Sequence, residues 1–203
     1  MYRPQKKTKP AATGQVRVIG GEWRGRKLPV PEAEGLRPTP DRIRETLFNW
    51  LQFVIAGKTC LDAFTGSGAL AVEALSRGAA QVTAIERDTK VAKQLSALLT
   101  PLAGERLKLV NADALQWLEN SLENSLENQP ATPFDLVFLD PPFGQPLLEP
   151  ACRLLEEKGW LAEGAYIYVE QAKQQTGLVT LPANWVLHKD KQVGDVRFSL
   201  YTR

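Results

Sequence analysis

Hydrophobic and polar positions follow two different periods along most of this chain. Short apolar runs bounded by glycine, proline or polar residues are typical of buried strands, and apolar positions every three or four residues are typical of helices. The short runs predict strands at Thr59–Ala63, Gln81–Ile85, Leu107–Val110, Phe134–Leu139 and Ala165–Val169. The segments between them predict helices at Ser67–Ser76, Thr89–Leu99, Leu115–Glu127 and Leu147–Lys158.

This alternation of strands and helices predicts a parallel sheet with helices on both faces. The end of the chain differs, because Trp185–Asp190 and Val196–Tyr201 flank Gly194-Asp195, which is a hairpin signal. We therefore expect an α/β fold whose mainly parallel sheet ends in an antiparallel C-terminal hairpin. A tandem Asn-Ser-Leu-Glu repeat at 120–127, with the loop as far as Pro133, predicts a lengthened surface helix without chemistry.

Two further elements precede the sheet. Residues 16–28, with Gly20-Gly21 in the middle, predict a small hairpin with a glycine turn. After a proline-rich link, Thr39-Pro40-Asp41 predicts the start of a helix, with Thr39 as its N-cap and Pro40 at its first position. Gly57 is expected to end that helix. Residues 1–36 thus form a tail and hairpin, and residues 37–203 form the α/β domain.

The composition is that of an ordinary soluble protein, with 43% hydrophobic and 24% charged residues. The first fourteen residues are polar and basic, so they do not predict a secretory signal, and no apolar run approaches the ~20 residues of a membrane span. Cys60 and Cys152 lack the spacing of a metal site, so we expect no metal and a reducing, cytoplasmic compartment.

The charge is unevenly distributed along the chain. Residues 1–44 hold eleven basic and four acidic side chains, giving +7, while the remaining residues total −5. A basic segment on an acidic body favours a polyanionic partner. Within the hairpin, Trp23 combines a stacking surface with the nearby cations Arg17, Arg24, Arg26 and Lys27. We expect these five side chains to contact RNA; a basic hairpin packed on the body for structural reasons is the alternative.

The segment Asp140-Pro141-Pro142-Phe143 follows a predicted buried strand, at the edge where open α/β sheets bind ligands. Two consecutive prolines leave carbonyl oxygens in a rigid geometry. Asp140 adds a carboxylate acceptor and Phe143 a flat face. Such a site can hold the amino group of an aromatic ring and stack on the ring. The same composition is also found in ordinary turns, in which Phe143 would belong to the core.

A glycine loop follows the first predicted strand, with Gly66 and Gly68 placed where backbone can approach a ligand at a helix N-terminus. Glu86, at the end of the second strand, is placed to accept both ribose hydroxyls. The same pattern satisfies a dinucleotide fingerprint. Asp62 favours S-adenosylmethionine over a dinucleotide as the ligand. Its carboxylate would repel a pyrophosphate but suits the cationic S-adenosylmethionine. Asp113, after the third strand, can accept from the adenine amino group.

The chain resembles class I S-adenosylmethionine-dependent methyltransferases in its glycine motif at 62–71 and its Asp140–Phe143 motif. The segments 18–26, 37–45 and 48–51 are similar to the bacterial 16S ribosomal RNA guanine-N2 methyltransferase family. The resemblance implies a Rossmann-like fold and methylation of a guanine N2 amine in the 16S rRNA of the small ribosomal subunit or an assembly intermediate. It also suggests that Thr39 borders the cofactor pocket and Arg37 the RNA.

Three residues of the tetrapeptide have a role in this methylation. Asp140 and the Pro141 carbonyl would accept hydrogen bonds from the two N–H groups of the amine. Phe143 would stack on a base turned out of its helix. Cys152 lies in a helical pattern without a base beside it, so a cysteine nucleophile is not expected, and His188 is interpreted as structural. Nothing in the sequence requires more than a monomer.

Several rival functions stay open at this stage. Methylation of DNA adenine or cytosine, or of a protein glutamine, can use the same tetrapeptide, although there is no large segment for reading a DNA site. The glycine loop also permits a nucleotide-dependent oxidoreductase. A non-catalytic RNA-binding module would explain the basic hairpin, but it would leave the acidic strand ends without a purpose.

Overall fold

The computed structural model describes residues 14–31, 38–120, 132–177 and 179–203. A small antiparallel sheet pairs β1 (Gln15–Arg17) with β2 (Lys27–Pro29). The main sheet has seven strands: β3 (Thr59–Asp62), β4 (Gln81–Glu86), β5 (Leu107–Asn111), β6 (Phe134–Leu139), β7 (Leu161–Ala172), β8 (Val186–Val193) and β9 (Val196–Thr202). Within the described residues, five α-helices accompany it: α1 (Asp41–Trp50), α2 (Ala69–Ser76), α3 (Thr89–Ala103), α4 (Ala114–Asn120) and α5 (Leu148–Glu157).

The main sheet has the strand order β5-β4-β3-β6-β7-β9-β8. Its first five strands run parallel, and β9 is antiparallel to both β7 and β8. The expected parallel sheet with a C-terminal antiparallel hairpin is therefore confirmed. The chain runs outward from β3 to β5 and then returns to place β6 on the other side of β3. A crevice for ligands forms at the carboxyl ends of strands where the order reverses in this way.

Alternating side chains of the strands build a core layer on each face of the sheet. Phe138 and Tyr168 lie in one hydrophobic cluster with residues of α1, α2 and α3. Val137 and Ile167, their neighbours in sequence, lie in a second cluster with residues of α4 and α5. Since successive side chains of a strand point to opposite faces, both faces are covered, as expected. No helix in the described part of the chain has the length and apolar character needed to cross a membrane.

The start of α1 differs from the prediction. Pro40 is the residue that precedes the helix, and no side chain caps its N-terminus. Thr39 does not act as the cap because its hydroxyl bonds to Asp140 instead. The helix also ends at Trp50, with turns rather than helix leading to Gly57. The chain around the predicted repeat is described only as far as Asn120, so the lengthened helix lies outside the described residues.

The N-terminal hairpin is confirmed, but its glycines do not form a two-residue turn. The segment 18–26 joins the two strands and lies against α2, where Trp23 N–H donates to Ser76 Oγ at 2.9 Å. A Cβ on Gly21 would meet the Ser76 carbonyl oxygen at 1.8 Å, and its φ is +77°. Glycine is required here because the loop approaches the helix closely and adopts a left-handed backbone.

Two buried charged residues anchor this hairpin to the α/β domain. The carboxylate of Glu73 accepts the N–H groups of Ile19 and Gly20 at 2.8 and 2.9 Å. Glu73 also pairs with Arg44 at 3.5 Å, and Arg44 donates to the carbonyl oxygens of Arg17 at 2.9 Å and Thr39 at 3.2 Å. Arg44 therefore links β1, the start of α1 and α2. Buried charges require such partners, so these contacts fix the hairpin on the domain.

Candidate active site

Three neighbouring strands carry carboxylates on the same face of the sheet at its carboxyl edge. Asp62 ends β3 and stands opposite Phe138 of β6, which in turn stands opposite Tyr168 of β7. Asp140, which directly follows β6, and Glu170, within β7, each lie two residues further along the chain. Because side chains alternate between faces, this register directs the two later carboxylates to the face that carries Asp62.

Asp62 is buried between β3 and the first turn of α2. Its Oδ2 accepts the N–H of Ala71 at 3.1 Å, and its own carbonyl accepts the Thr65 hydroxyl at 3.0 Å. Burial, followed by the charge of Asp140, raises the pKa of Asp62 to about 8, against an ordinary value of 3.8. The negative charge is therefore poorly compensated in the protein alone, and a positively charged ligand beside Asp62 would stabilise it.

Asp140 lies directly after β6, and its carboxylate is held by a residue distant in sequence. The Thr39 hydroxyl donates to Asp140 Oδ2 at 3.0 Å. Burial raises the pKa of Asp140, while the hydrogen bond from Thr39 opposes that rise. Pro141 is buried, whereas the Phe143 ring is 47% exposed and available for stacking. Phe143 is thus not a core residue.

Glu170 was missed by the sequence interpretation, which ended the fifth strand at Val169. The residue is only 4% exposed, and Tyr168 donates its hydroxyl proton to Glu170 Oε2 at 2.6 Å. Burial and the charge of Asp140 raise the pKa of Glu170. The signal was available, because Glu170 follows the predicted strand directly, in the same way as Asp140 follows β6.

A cavity of about 300 Å³ lies beside the tetrapeptide. Its wall includes Pro141, Pro142, Phe143, Glu170, Gln171 and Gln175, together with residues from the start of α5. The Oε1 atom of Gln171 is buried without a hydrogen-bond partner among the described residues. One concave site is thus bordered by the end of β7, the Pro141-Pro142 turn and the exposed Phe143 ring. Binding pockets are commonly concave in this way.

The predicted cofactor residues on the other strand ends hold the loops of this edge. Gly66 N–H donates to Glu86 Oε2 at 2.9 Å, and Asp88 N–H donates to Glu86 Oε1 at 2.7 Å. Asp113 accepts the N–H groups of Leu115 and Gln116 on Oδ1, at 3.0 and 3.1 Å. Asp113 is therefore also the N-cap of α4.

Gly68 has a packing role that the sequence did not indicate. It precedes α2 with a φ of +77°, and a Cβ there would lie 3.0 Å from Leu95 Cδ2 of α3. Glycine is thus required both by the left-handed backbone and by the neighbouring helix. The close approach of a ligand to the loop does not by itself explain the glycine at position 68.

The predicted RNA residues divide into two groups. Arg17, Arg24, Arg26 and Lys27 are exposed, and Arg17 stands opposite Lys27 in the hairpin. Trp23 is only 3% exposed and lies against Arg106, whose guanidinium carbon is 5.2 Å from the ring centroid. The expected stacking surface is therefore wrong for Trp23, because its ring packs into the core. Arg37 lies outside the described residues.

Two other reactive side chains lie away from this edge. Cys152 is buried in α5 within the second hydrophobic cluster, and burial raises the pKa of its thiol. A thiol in that environment is a poor nucleophile. His188 is exposed on β8, with its ring 6.0 Å from that of Tyr166 in an edge-to-face arrangement.

The strand order, the terminal hairpin and the acidic strand ends define a class I S-adenosylmethionine-dependent methyltransferase. The family described as Conserved hypothetical protein 95 matches residues 16–202. The chain is 52% identical over 198 residues to ribosomal RNA small subunit methyltransferase D of Escherichia coli strain K12, covering 98% of this chain and 95% of the relative. The chain therefore belongs to the ribosomal RNA small subunit methyltransferase D family.

Two further comparisons agree with this assignment. The protein of the same name from Haemophilus influenzae is 50% identical over 194 residues, covering 95% of this chain and 96% of the relative. The solved structure of the Escherichia coli protein yhhF superposes with a TM-score of 0.81 at 50% identity, covering 94% of this chain and 98% of that one. The whole α/β fold is thus shared with that structure.

Proposed function

We propose that this protein transfers a methyl group from S-adenosylmethionine to the exocyclic N2 amine of one guanine in 16S rRNA, within the small ribosomal subunit or an assembly intermediate. The observation that carries the proposal is the Asp140 carboxylate, held by Thr39 at the end of β6 and followed by Pro141 and the exposed Phe143 ring. The names of the relatives support a substrate in the small-subunit RNA.

The charges at the sheet edge fit this cofactor. Asp62 is a buried carboxylate with a strongly raised pKa, so it favours a cationic ligand and disfavours the pyrophosphate of a dinucleotide. The cofactor carries an ammonium and a sulfonium, and it supplies an activated methyl group when bound. In the proposed complex, Asp62 holds the cationic part, Glu86 the ribose and Asp113 the adenine amine. Gly66 and Gly68 shape the loop between them.

The amine is the weak partner in this reaction, because the N2 lone pair of guanine is delocalised into the ring. Asp140 and the Pro141 carbonyl would accept hydrogen bonds from its two N–H groups and so favour a pyramidal nitrogen whose lone pair is free to take the methyl group. Positioning of this kind lowers the barrier substantially. The carboxylate also stabilises the positive charge that develops on nitrogen, and it would accept the proton that this nitrogen releases once the methyl carbon–sulfur bond has broken. Phe143 stacks on the flipped base.

The hairpin cations provide the surface for the RNA backbone. Arg17 and Lys27 stand opposite each other in register, where like charges destabilise a strand pair, and the exposed Asp41, 3.9 Å from Arg17, offsets little of this repulsion. Phosphate groups between them would relieve this repulsion. Arg24 and Arg26 extend the exposed positive surface, and Arg37 is proposed to border it. Because Arg44 and Glu73 anchor the hairpin, bound RNA is held at a fixed distance from Asp140.

The test is the transfer of labelled methyl groups to three substrates: unmethylated 16S RNA, the small subunit assembled from it, and duplex DNA. The wild type is expected to label at least one of the RNA substrates, and Asp140→Ala to lower the rate by about 100-fold or more. Asp195→Ala is the matched control, since Asp195 is an exposed carboxylate in the turn between β8 and β9. Labelling of DNA alone, or of no substrate, would contradict the proposal.

A further inference from the structure

Glu170 is the one buried carboxylate near the tetrapeptide, among the described residues, to which the proposed reaction gives no role. It follows Val169, which stands opposite Leu139 in the parallel pair of β6 and β7. The next residues along the two strands are Asp140 and Glu170. The wall of the cavity contains Glu170 together with Pro141 and Phe143. A base that stacks on Phe143 and gives its amine to Asp140 therefore has Glu170 as its neighbour on the next strand.

Tyr168 sets the orientation of this carboxylate. Its ring is fully buried and its hydroxyl donates to Glu170 Oε2 at 2.6 Å. Oε1 of Glu170 accepts no hydrogen bond from the described residues, and, unlike Oε1 of Gln171, it is not fully buried, so it is open to the cavity. A ligand that displaces water from this oxygen must supply a donor in its place, or the unpaired carboxylate oxygen costs free energy. The expected ligand group at this position is thus an N–H.

The three amine-bearing bases differ at the ring nitrogen beside the amine. Guanine carries an N1–H there, next to its N2 amine. Adenine has an unprotonated N1 beside its N6 amine, and cytosine an unprotonated N3 beside its N4 amine, so both present a lone pair. A carboxylate next to the amine-binding group attracts the N1–H of guanine and repels the ring-nitrogen lone pairs of adenine and cytosine. Enzymes that flip a base read this edge by hydrogen bonds.

We propose that Glu170 is a specificity-determining residue that accepts the N1–H of the target guanine, while Asp140 and the Pro141 carbonyl accept the N2 amine. This inference rests on the proposed function and adds to it the reason for choosing guanine. The carboxylate form is required for this role. A cationic cofactor beside Asp62 favours that form by opposing the mutual repulsion of the acidic side chains.

The test uses 2-aminopurine, which keeps the amine at position 2 but has an unprotonated N1 and no oxygen at position 6. Small-subunit RNA is prepared by ligation with guanine or 2-aminopurine at the nucleotide that the wild type methylates. The kcat/KM for methyl transfer to each base is measured for the wild type, Glu170→Gln and Glu163→Gln. Glu163 is the matched control, because it is an exposed carboxylate on the same strand.

The wild type and Glu163→Gln are expected to prefer guanine by about 100-fold or more, since a site built around a hydrogen bond rejects an analogue that lacks the donor. Glu170→Gln is expected to lower this preference at least about tenfold, because its amide can donate to the unprotonated N1. A ratio of two substrates on one enzyme is insensitive to partial unfolding. The variant also keeps an oxygen for the Tyr168 hydroxyl.

The contrary outcomes separate the two proposals. If the wild type forms N2-methylguanosine and the preference is the same in Glu170→Gln, the role of Glu170 is wrong and the proposed function stands. If the wild type forms no N2-methylguanosine in any small-subunit RNA substrate, the proposed function fails and the role of Glu170 fails with it.

Discussion

The hydroxyl of Thr39 donates to Oδ2 of Asp140 at 3.0 Å, across 101 positions of sequence. Thr39 directly precedes Pro40, the residue before α1, and its carbonyl oxygen accepts a hydrogen bond from Arg44. Arg44 also binds the carbonyl of Arg17 in the N-terminal hairpin. A continuous set of hydrogen bonds thus connects the proposed RNA-binding hairpin to the carboxylate proposed to hold the amine.

This relationship predicts that Thr39 positions Asp140 for the reaction. Thr39→Val is expected to lower kcat about tenfold, which corresponds to the loss of one hydrogen bond to a charged group. The acidic limb of the pH–rate profile is expected to move to higher pH, because loss of the donor raises the pKa of Asp140. Thr39→Ser should restore both properties. A normal kcat and an unchanged profile in Thr39→Val would show that the contact is only structural.

Cofactor binding is predicted to strengthen as the pH rises from about 6 towards 8. The pKa of Asp62 is raised to about 8, so the unliganded protein carries this group mostly protonated at neutral pH. A cationic ligand binds the ionised form, and the affinity for S-adenosylmethionine should increase by up to about tenfold per pH unit. Calorimetry in buffers of different ionisation enthalpy should detect proton release on binding. A pH-independent affinity, or the same pH dependence in Asp62→Asn, would contradict this account.

The buried carboxylates are predicted to reduce the stability of the unliganded protein. The pKa of Asp140 is raised from 3.8 to about 6, so the folded state binds the proton more tightly than the unfolded state does. The stabilisation is complete below pH 3.8 and is lost as the pH rises through about 6. Asp140→Asn should therefore unfold at a temperature about 2–4 °C higher than the wild type at pH 8.

The same comparison at about pH 4 provides the control for Asp140→Asn. In the folded protein both side chains are largely uncharged there, so the two melting temperatures should differ much less than at pH 8. The difference in the free energy of unfolding should thus be larger at pH 8 than at pH 4. A variant that is less stable than the wild type at pH 8 would mean that the Asp140 carboxylate is stabilising in the unliganded fold.

The exposed hairpin cations are predicted to bind phosphate groups. The double variant Arg24→Ala with Arg26→Ala should weaken binding to small-subunit RNA and should reduce the slope of log K against log salt by about one for each phosphate that the protein no longer neutralises. Cofactor affinity should not change. Lys108→Ala is the control, because Lys108 is an exposed cation on β5. An equal reduction of the slope in this control would indicate that the attraction depends on total charge and not on the hairpin.

The sequence predicted most of the fold because its strands are short and apolar between clear turn signals. The strand at Phe134–Leu139 was predicted with the observed bounds, which placed Asp140 correctly at the sheet edge. Glu170 was missed because β7 was taken to end at Val169, although it continues to Ala172. The rule that identified Asp62 and Asp140, a carboxylate at the end of a buried strand, identifies Glu170 as well.

Trp23 and Thr39 show what local sequence could not reveal. Trp23 stands among cations in the sequence, which favoured a stacking surface, but its ring is buried in the hydrophobic cluster with residues of α1 and α2 and lies against Arg106. Thr39 has the composition of an N-cap, but Asp140, which is distant in sequence, takes its hydroxyl. In both cases a tertiary partner outweighs the local preference, and no periodicity of the chain encodes that partner.

The central claim is that the end of β6 holds the N2 amine of a guanine. The most direct test identifies the modified nucleoside by mass spectrometry after wild-type protein and S-adenosylmethionine act on unmethylated small-subunit RNA. We predict N2-methylguanosine at a single nucleotide, and its loss in Asp140→Ala protein that still binds the cofactor. Methylation of adenine, of cytosine or of a guanine ring nitrogen, or N2-methylguanosine undiminished in Asp140→Ala, would contradict the claim.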